Sequence, residues 1–201
     1  MASGVDAAVE ALRSGAPALL PTDTVYGLCC SPFLPEAVAA LYRLKGRIER
    51  QPTAIVAASV DGLLVCVPEL AGRAEAVCRA LLPGPFTLVL SNPAERFPWL
   101  TGGKPGPIGV RVPRLPDVAV HVVEAIGAVA ATSANDPGGP DPAVLEDVPA
   151  RIRAACAEVD AGRLPGTAST VLDLTGDEPR VLREGAVSVP DALARVRDAL
   201  S

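Results

Sequence analysis

Histidine and lysine are the scarce residues of this 201-residue chain, with one histidine, His121, and two lysines, Lys45 and Lys104. A single imidazole excludes a transition-metal site built on several histidines. His121 also sits among Val118, Val120, Val122 and Val123 on a helical pattern, the setting of a packed face and not of a nucleophile's partner. Aromatic residues make up only 3%, which leaves few platforms for stacking single-stranded bases. The formal net charge of -5 argues against a surface whose main task is to hold a phosphate backbone. No apolar run approaches the ~20 residues of a membrane span, and no basic segment precedes an apolar one at the N-terminus. The five cysteines (29, 30, 66, 78 and 156) are odd in number and contain no Cys-x-x-Cys pair. Reduced thiols in a cytoplasmic protein are the expectation. The phosphate loop GxxxxGK[ST], the dinucleotide fingerprint GxGxxG and the nucleophile elbow GxSxG are all missing.

Apolar residues account for 49% and charged residues for 20%, the balance of a globular chain. By area scaling, a chain of this size buries roughly 70% of its extended surface, enough core to need no staple. One domain over 1–201, with no extra C-terminal domain, is expected. Eighteen glycines and 21 prolines are spread between apolar segments and mark tight turns. Val5, Ala8, Val9 and Leu12 follow a helical period, with Gly15 as C-cap. Further helices are predicted around 38–46, 70–81, 118–126, 145–156 and 193–200. Short β-branched or apolar runs predict strands at 18–20, 54–58, 86–90, 108–112, 128–131, 170–174 and 181–182. The alternation implies an α/β (α+β) fold with a mixed sheet.

Polar residues gather where these strands end. Lys45-Gly46-Arg47 follows an amphipathic helix and offers a point charge beside a planar fork, suited to phosphate or carboxylate. The same pair could equally be a solvated helix terminus complementing its dipole. Arg111 interrupts the apolar strand at 108–112 and either faces solvent or points at an anion; period 2 leaves both open. Arg183, after Val181-Leu182, has the same two readings. Ser133 and Asn135 precede a Gly-rich turn and can give neutral hydrogen bonds to phosphate oxygens, or simply build that turn. Ser169-Thr170 is either a further donor or a plain strand start.

In chain order the blocks run Pro21-Thr22-Asp23-Thr24-Val25-Tyr26-Gly27-Leu28, Lys45-Gly46-Arg47 and Leu82-Pro83-Gly84-Pro85-Phe86-Thr87-Leu88. They continue with Val110-Arg111-Val112-Pro113, Ser133-Ala134-Asn135, Ser169-Thr170-Val171 and Val181-Leu182-Arg183-Glu184-Gly185. Together they resemble the YrdC-like family over nearly the whole chain. The resemblance implies a twisted, open, mixed sheet flanked by helices, with a concave binding surface. The activity it implies is formation of L-threonylcarbamoyladenylate and pyrophosphate from L-threonine, bicarbonate and ATP. A separate transferase would then modify the tRNA adenosine beside the anticodon. By resemblance, Lys45 and Arg47 are the catalytic cations. Lys45, Arg47, Gln51, Ser133, Asn135 and Arg183 take ATP, and Thr22, Tyr26, Arg111, Ala131 and Ser169 take threonine. Mg2+ would arrive with ATP, and no protein-held transition metal is implied. Other partner readings are weak RNA binding by the concave surface and, for a paralogue, a different amino acid.

The chain departs from the family pattern around that second block. Ile48 follows Arg47 where many relatives have proline, and Thr53 follows Pro52 where they have leucine. The next strand reads Ala54-Ile55-Val56-Ala57, without the histidine some relatives carry there, and Pro137 replaces a common serine. No departure removes a cation, but the amino-acid end is altered more than the nucleotide end.

Overall fold

The computed structural model describes residues 4–46, 53–101 and 106–200. Helix α1 (Gly4–Arg13) buries Ala8 and Leu12, four residues apart on one face, and the chain turns at Gly15 with φ 85°. Strands β1 (Ala18–Pro21) and β2 (Tyr26–Cys30) follow. Helix α2 (Pro35–Lys45) starts on a proline, whose missing N–H costs nothing in a first turn. It stops at Gly46, whose φ of 67° lets its N–H close on the last turn's carbonyls. Lys45 is therefore the final helical residue, fixed just before the turn. The remaining elements are β3 (Ala54–Val56), α3 (Val60–Cys66), α4 (Arg73–Leu81), β4 (Phe86–Leu90), β5 (Ile108–Arg111) and α5 (Asp117–Ile126). After them come β6 (Val129–Ser133), α6 (Ala150–Arg153), β7 (Ala157–Glu158), β8 (Thr170–Asp173), β9 (Arg180–Arg183) and α7 (Val189–Leu200).

Among the described residues nine strands form one open sheet in the order β7-β1-β2-β6-β3-β5-β4-β8-β9. The pairs β1/β7, β3/β5 and β4/β8 are parallel, and the other five are antiparallel. The mixed α/β architecture expected from the sequence is the one observed.

Some elements differ from expectation for local reasons. The predicted helix at 145–156 is a single 3-10 turn (Leu145–Asp147) and the four-residue α6, because Pro149 between them cannot continue a helix. The stripe from Leu70 becomes helical only at Arg73, after Gly72 at φ 61°. Helix α3 was not expected, yet it has an N-cap: Ser59 Oγ accepts from the Gly62 N–H at 3.0 Å. Strand β2 escapes pattern reading because all five of its residues are buried, so no polar alternation marks it.

Strand alternation gives the sheet two unlike faces. One face packs Tyr26, Leu28, Ile55, Val110 and Leu88 under α2, α3, α4 and α7 in the larger core. The other packs Leu20, Cys29, Val56 and Val129 under α1 and α5 only. Among the described residues those two helices cover the half of the sheet nearest β1, and no helix covers this face of the half nearest β8.

Candidate active site

The bare half-face is a cavity of about 440 Å³. Its floor comes from the residues that alternation turns to this side: Gly27 of β2, Ala131 and Ser133 of β6, Ala54 of β3, Gly109 and Arg111 of β5, Thr87 of β4, and Val171 and Asp173 of β8. Glycine and alanine over the central strands make the concavity, since there is little side chain to fill it. A Cβ on Gly109 would meet Ala54 at 3.5 Å, so these strands already pack backbone against small side chains.

Arg111 lies on the cavity side, which settles its orientation. Its Nη2 donates to Asp23 Oδ1 at 3.1 Å and to Thr24 Oγ1 at 3.2 Å, both from the turn joining β1 and β2. Asp23 Oδ2 also accepts from the Arg114 N–H at 3.1 Å. Burial holds the Arg111 guanidinium below its ordinary range, Asp23 opposes that effect, and the like charge of Arg183 reinforces it. An anion between the two arginines would relieve both the burial and the repulsion.

Thr22 lines the cavity, but its hydroxyl is spent on the turn. Oγ1 donates to the Val25 carbonyl at 2.7 Å, contacts Thr24 Oγ1 at 3.0 Å, and accepts from the N–H groups of Thr24 and Val25 at 3.2 Å. It shapes the loop that brings Asp23 to Arg111. Ser169 is 2% exposed and pairs Oγ with Thr87 Oγ1 at 2.8 Å. Arg183 reaches over from β9 and donates Nη2 to the Ser169 carbonyl at 2.8 Å. Ala131 contributes floor only.

Lys45 is fully buried and does not line the cavity. Its ammonium donates to the Ser133 carbonyl at 2.5 Å and to the Asn135 carbonyl and Asn135 Oδ1. Ser133 Oγ also donates to Asn135 Oδ1, at 2.7 Å, while Asn135 Nδ2 holds the Gly139 carbonyl at 2.7 Å. The positive charge thus stands behind the Ser133–Asn135 turn, and Ser133 is the member of the trio that meets the cavity. Arg47 and Gln51 lie outside the described residues.

Tyr26 requires a correction. It was expected to take part in the threonine pocket, but alternation in β2 turns it to the opposite face, where it is fully buried. Its O–H is shared between Asp160 Oδ1 and the Gly162 carbonyl, each at 2.8 Å, and its oxygen accepts from the Ala161 N–H at 3.0 Å. Burial pushes the phenol up to about 12, with the Asp160 carboxylate adding to the rise. Sequence reading overlooked Asp23, Thr53 and Thr87. Asp23 and Thr87 had a signal in their places inside the first and third quoted blocks, and Thr53 was noted only as a departure from the family pattern.

An open mixed sheet with a cavity over arginines and hydroxyls on one half-face defines an α/β protein with a ligand-sized polar cleft. The family model Sua5_yciO_yrdC, described as Telomere recombination, matches residues 10–185, and the chain belongs to that family. A Mycobacterium tuberculosis (strain H37Rv) relative is 37% identical over 190 residues, 92% of this chain and 85% of its own length. The Pyrococcus abyssi protein named threonylcarbamoyl-AMP synthase is 34% identical over 90% of this chain, which spans 53% of that protein. The crystal structure of P. abyssi Sua5 complexed with L-threonine matches with a TM-score of 0.82 at 31% identity, covering 95% of this chain and 56% of that one. E. coli YciO matches with a TM-score of 0.80 at 28% identity, covering 92% of this chain and 90% of its own.

Proposed function

We propose that this chain is a threonylcarbamoyl-AMP synthase, joining L-threonine, bicarbonate and ATP into L-threonylcarbamoyladenylate with release of pyrophosphate. The observation that carries the reading is the cavity itself, with a buried arginine over small floor residues, a second arginine at its side, and Ser133 backed by the buried Lys45 and Asn135. The names and the threonine complex of the relatives above support it.

In chemical terms, bicarbonate takes up a proton and loses water to give carbon dioxide, and the neutral amine of threonine adds to it and releases an N–H proton to leave a carbamate. A carbamate oxygen then attacks the α-phosphorus of ATP, and the bond to the bridging oxygen breaks as pyrophosphate leaves. The organic reactants and the nucleotide carry negative charge, so alignment and charge neutralisation are the main demands. Arg111 would take the threonine carboxylate through its fork, while Ser133 and Arg183 would meet phosphate oxygens. Lys45 would supply positive potential through the Ser133–Asn135 turn, with Arg47 and Gln51 completing the nucleotide end. Mg2+ would arrive on the phosphates, held by them and by water. The carboxylates nearest the cavity, Asp23 and Asp173, are already engaged by Arg111 and Arg180. The product would pass to a separate tRNA-modifying transferase, which fits a cytoplasmic enzyme. Among the described residues no helix is long and apolar enough to cross a membrane.

The test is pyrophosphate release from ATP and Mg2+ with threonine and bicarbonate omitted in turn, and the product identified by mass. Release that requires both, with the threonylcarbamoyladenylate mass, is the expected result. Release that requires a different amino acid would transfer the activity to a paralogue. No release, together with salt-sensitive RNA binding that needs no ATP, would favour an RNA-binding role.

A further inference from the structure

Arg151 joins two segments that meet behind Ser133. Its Nη1 donates to the Leu44 carbonyl in the last turn of α2, and its Nη2 donates to Asp136 Oδ1, just after Ser133-Ala134-Asn135. Carbonyls in the last turn of a helix have no partner inside the helix. In α2 those of Tyr42 and Arg43 close on the Gly46 N–H, and that of Leu44 is taken by Arg151. Lys45, the next residue, spans the same gap from the buried side, through the Ser133 and Asn135 carbonyls and Asn135 Oδ1. A buried ammonium and an exposed guanidinium thus tie the end of α2 to one turn through neighbouring residues, 44 and 45 on one side and 135 and 136 on the other.

The backbone that carries Arg151 is itself fixed. Ile152 is fully buried in the larger core. The N–H groups of Ile152 and Arg153 close on the Pro149 carbonyl at 2.8 and 3.1 Å, and Arg153 lays its own fork on Glu158 at 2.8 and 2.9 Å. A planar guanidinium holds two acceptors at a set angle, whereas an ammonium on a flexible stem acts as a point charge. With Lys45 alone, the turn could pivot about the ammonium. The second tether, one residue further along each segment, removes that freedom. Both side chains of the Arg151–Asp136 pair are about half exposed, and an ion pair so placed adds little to stability. Its effect is on geometry.

We propose that Arg151 is a positioning residue for the nucleotide end of the site. It holds the Ser133–Asp136 turn at a fixed angle to the end of α2, so that Ser133 and the Lys45 charge behind it stay aligned on the phosphates. The proposal rests on the nucleotide site argued above. Arg151 is not among the residues that line the cavity, and it acts through Leu44 and Asp136. Arg111, at the amino-acid end, is held by Asp23 and Thr24 and shares none of these contacts. Loss of the staple therefore falls on ATP and spares threonine.

The experiment measures the Kd of MgATP by calorimetry, and the KM values of ATP and threonine by pyrophosphate release. It uses the wild type, Arg151→Ala, Arg151→Lys, Asp136→Ala and the double alanine variant. In Arg151→Ala the Kd and KM of ATP rise about five- to tenfold, while the threonine KM stays within about twofold. Its melting temperature falls by less than about 3 °C. Asp136→Ala shows the same rise, and the double variant is no worse than either single one, because each breaks the same link. Arg151→Lys, which keeps the charge and loses the fork, recovers only part of the loss. If Arg151 acted by its charge alone, Asp136→Ala would tighten ATP and Arg151→Lys would match the wild type; either result overturns the proposal. So does an unchanged ATP affinity in Arg151→Ala. A threonine KM that rises in step, or a larger fall in melting temperature, overturns it too, by making Arg151 a support of the fold at large. A wild type that binds MgATP but shows no threonine-dependent release overturns the proposed reaction, and the calorimetry then decides for or against Arg151. A wild type that binds no MgATP overturns both.

Discussion

Arg111 spends Nη2 on Asp23 and Thr24, and its Nε is buried with no partner among the described residues. Arg111→Lys keeps the charge and loses the fork. Threonine KM should rise about ten- to a hundredfold in a pyrophosphate assay; an unchanged KM would take the carboxylate away from this residue. Tyr26 makes the opposite case, a polar residue of the best-matched block that serves the fold. Its folded phenol titrates near 12, above the ordinary 10, so the stability it contributes is complete below pH 10 and is lost as pH climbs from 10 to 12. The loss should be on the order of 2–3 kcal/mol in urea titrations. Tyr26→Phe should lose less stability over that range, the buried thiols supplying what alkaline loss remains, while being about 1 kcal/mol less stable at pH 8. Sequence could name both residues but could not orient either. Arg111 was left between solvent and cleft, and Tyr26 was put in the threonine pocket by the family resemblance alone. In a strand, one position decides which side of the sheet a residue serves, and only the pairing with β1 and β6 fixes that.

Among the elements, those with a period or a punctuating residue were legible, such as α5, β4 and the Gly46 stop of α2. What escaped depended on contacts distant in sequence. Strand β2 needed neighbours on both edges and cover on both faces, and two-residue β7 exists because it pairs with Ala18 and Leu19. The segment after β9 is another such case. A Cβ on Gly185 would come within 2.3 Å of the Ala168 carbonyl oxygen and 2.5 Å of the Ser169 carbonyl carbon, backbone atoms that cannot swing aside. That close crossing also holds the Gly185 N–H to Thr170 Oγ1 at 3.1 Å. Gly185→Ala should therefore push β9 off β8, costing about 2–4 kcal/mol in thermal or urea unfolding and weakening nucleotide binding through Arg183. A variant as stable as the wild type would show that this crossing is slack.

At the scale of the whole molecule, the five cysteines sit in or against the two cores on either side of the sheet, and burial raises every thiol. Cys30 and Cys156 go to about 12 and Cys78 to about 11, with Cys29 and Cys66 shifted the same way. Little thiolate exists at pH 8, so a thiol reagent should react slowly with the native protein and with all five on unfolding. Fast labelling of Cys29 or Cys30 in native conditions would contradict the packing described. The larger division of the molecule is between its two sheet ends. Arg111 is carried by β5, paired on both edges, whereas Arg183 is carried by β9, which has one neighbour and a register shift against it between Val171 and Leu172. On the proposed roles, the amino-acid end stands on the stiff middle of the sheet and the nucleotide end on its loosest margin. Breathing of that margin would then let a bulky triphosphate enter and pyrophosphate depart while the smaller substrate stays seated. Amide exchange should accordingly be fast along β9 and slow along β6, with only the former slowing when nucleotide binds.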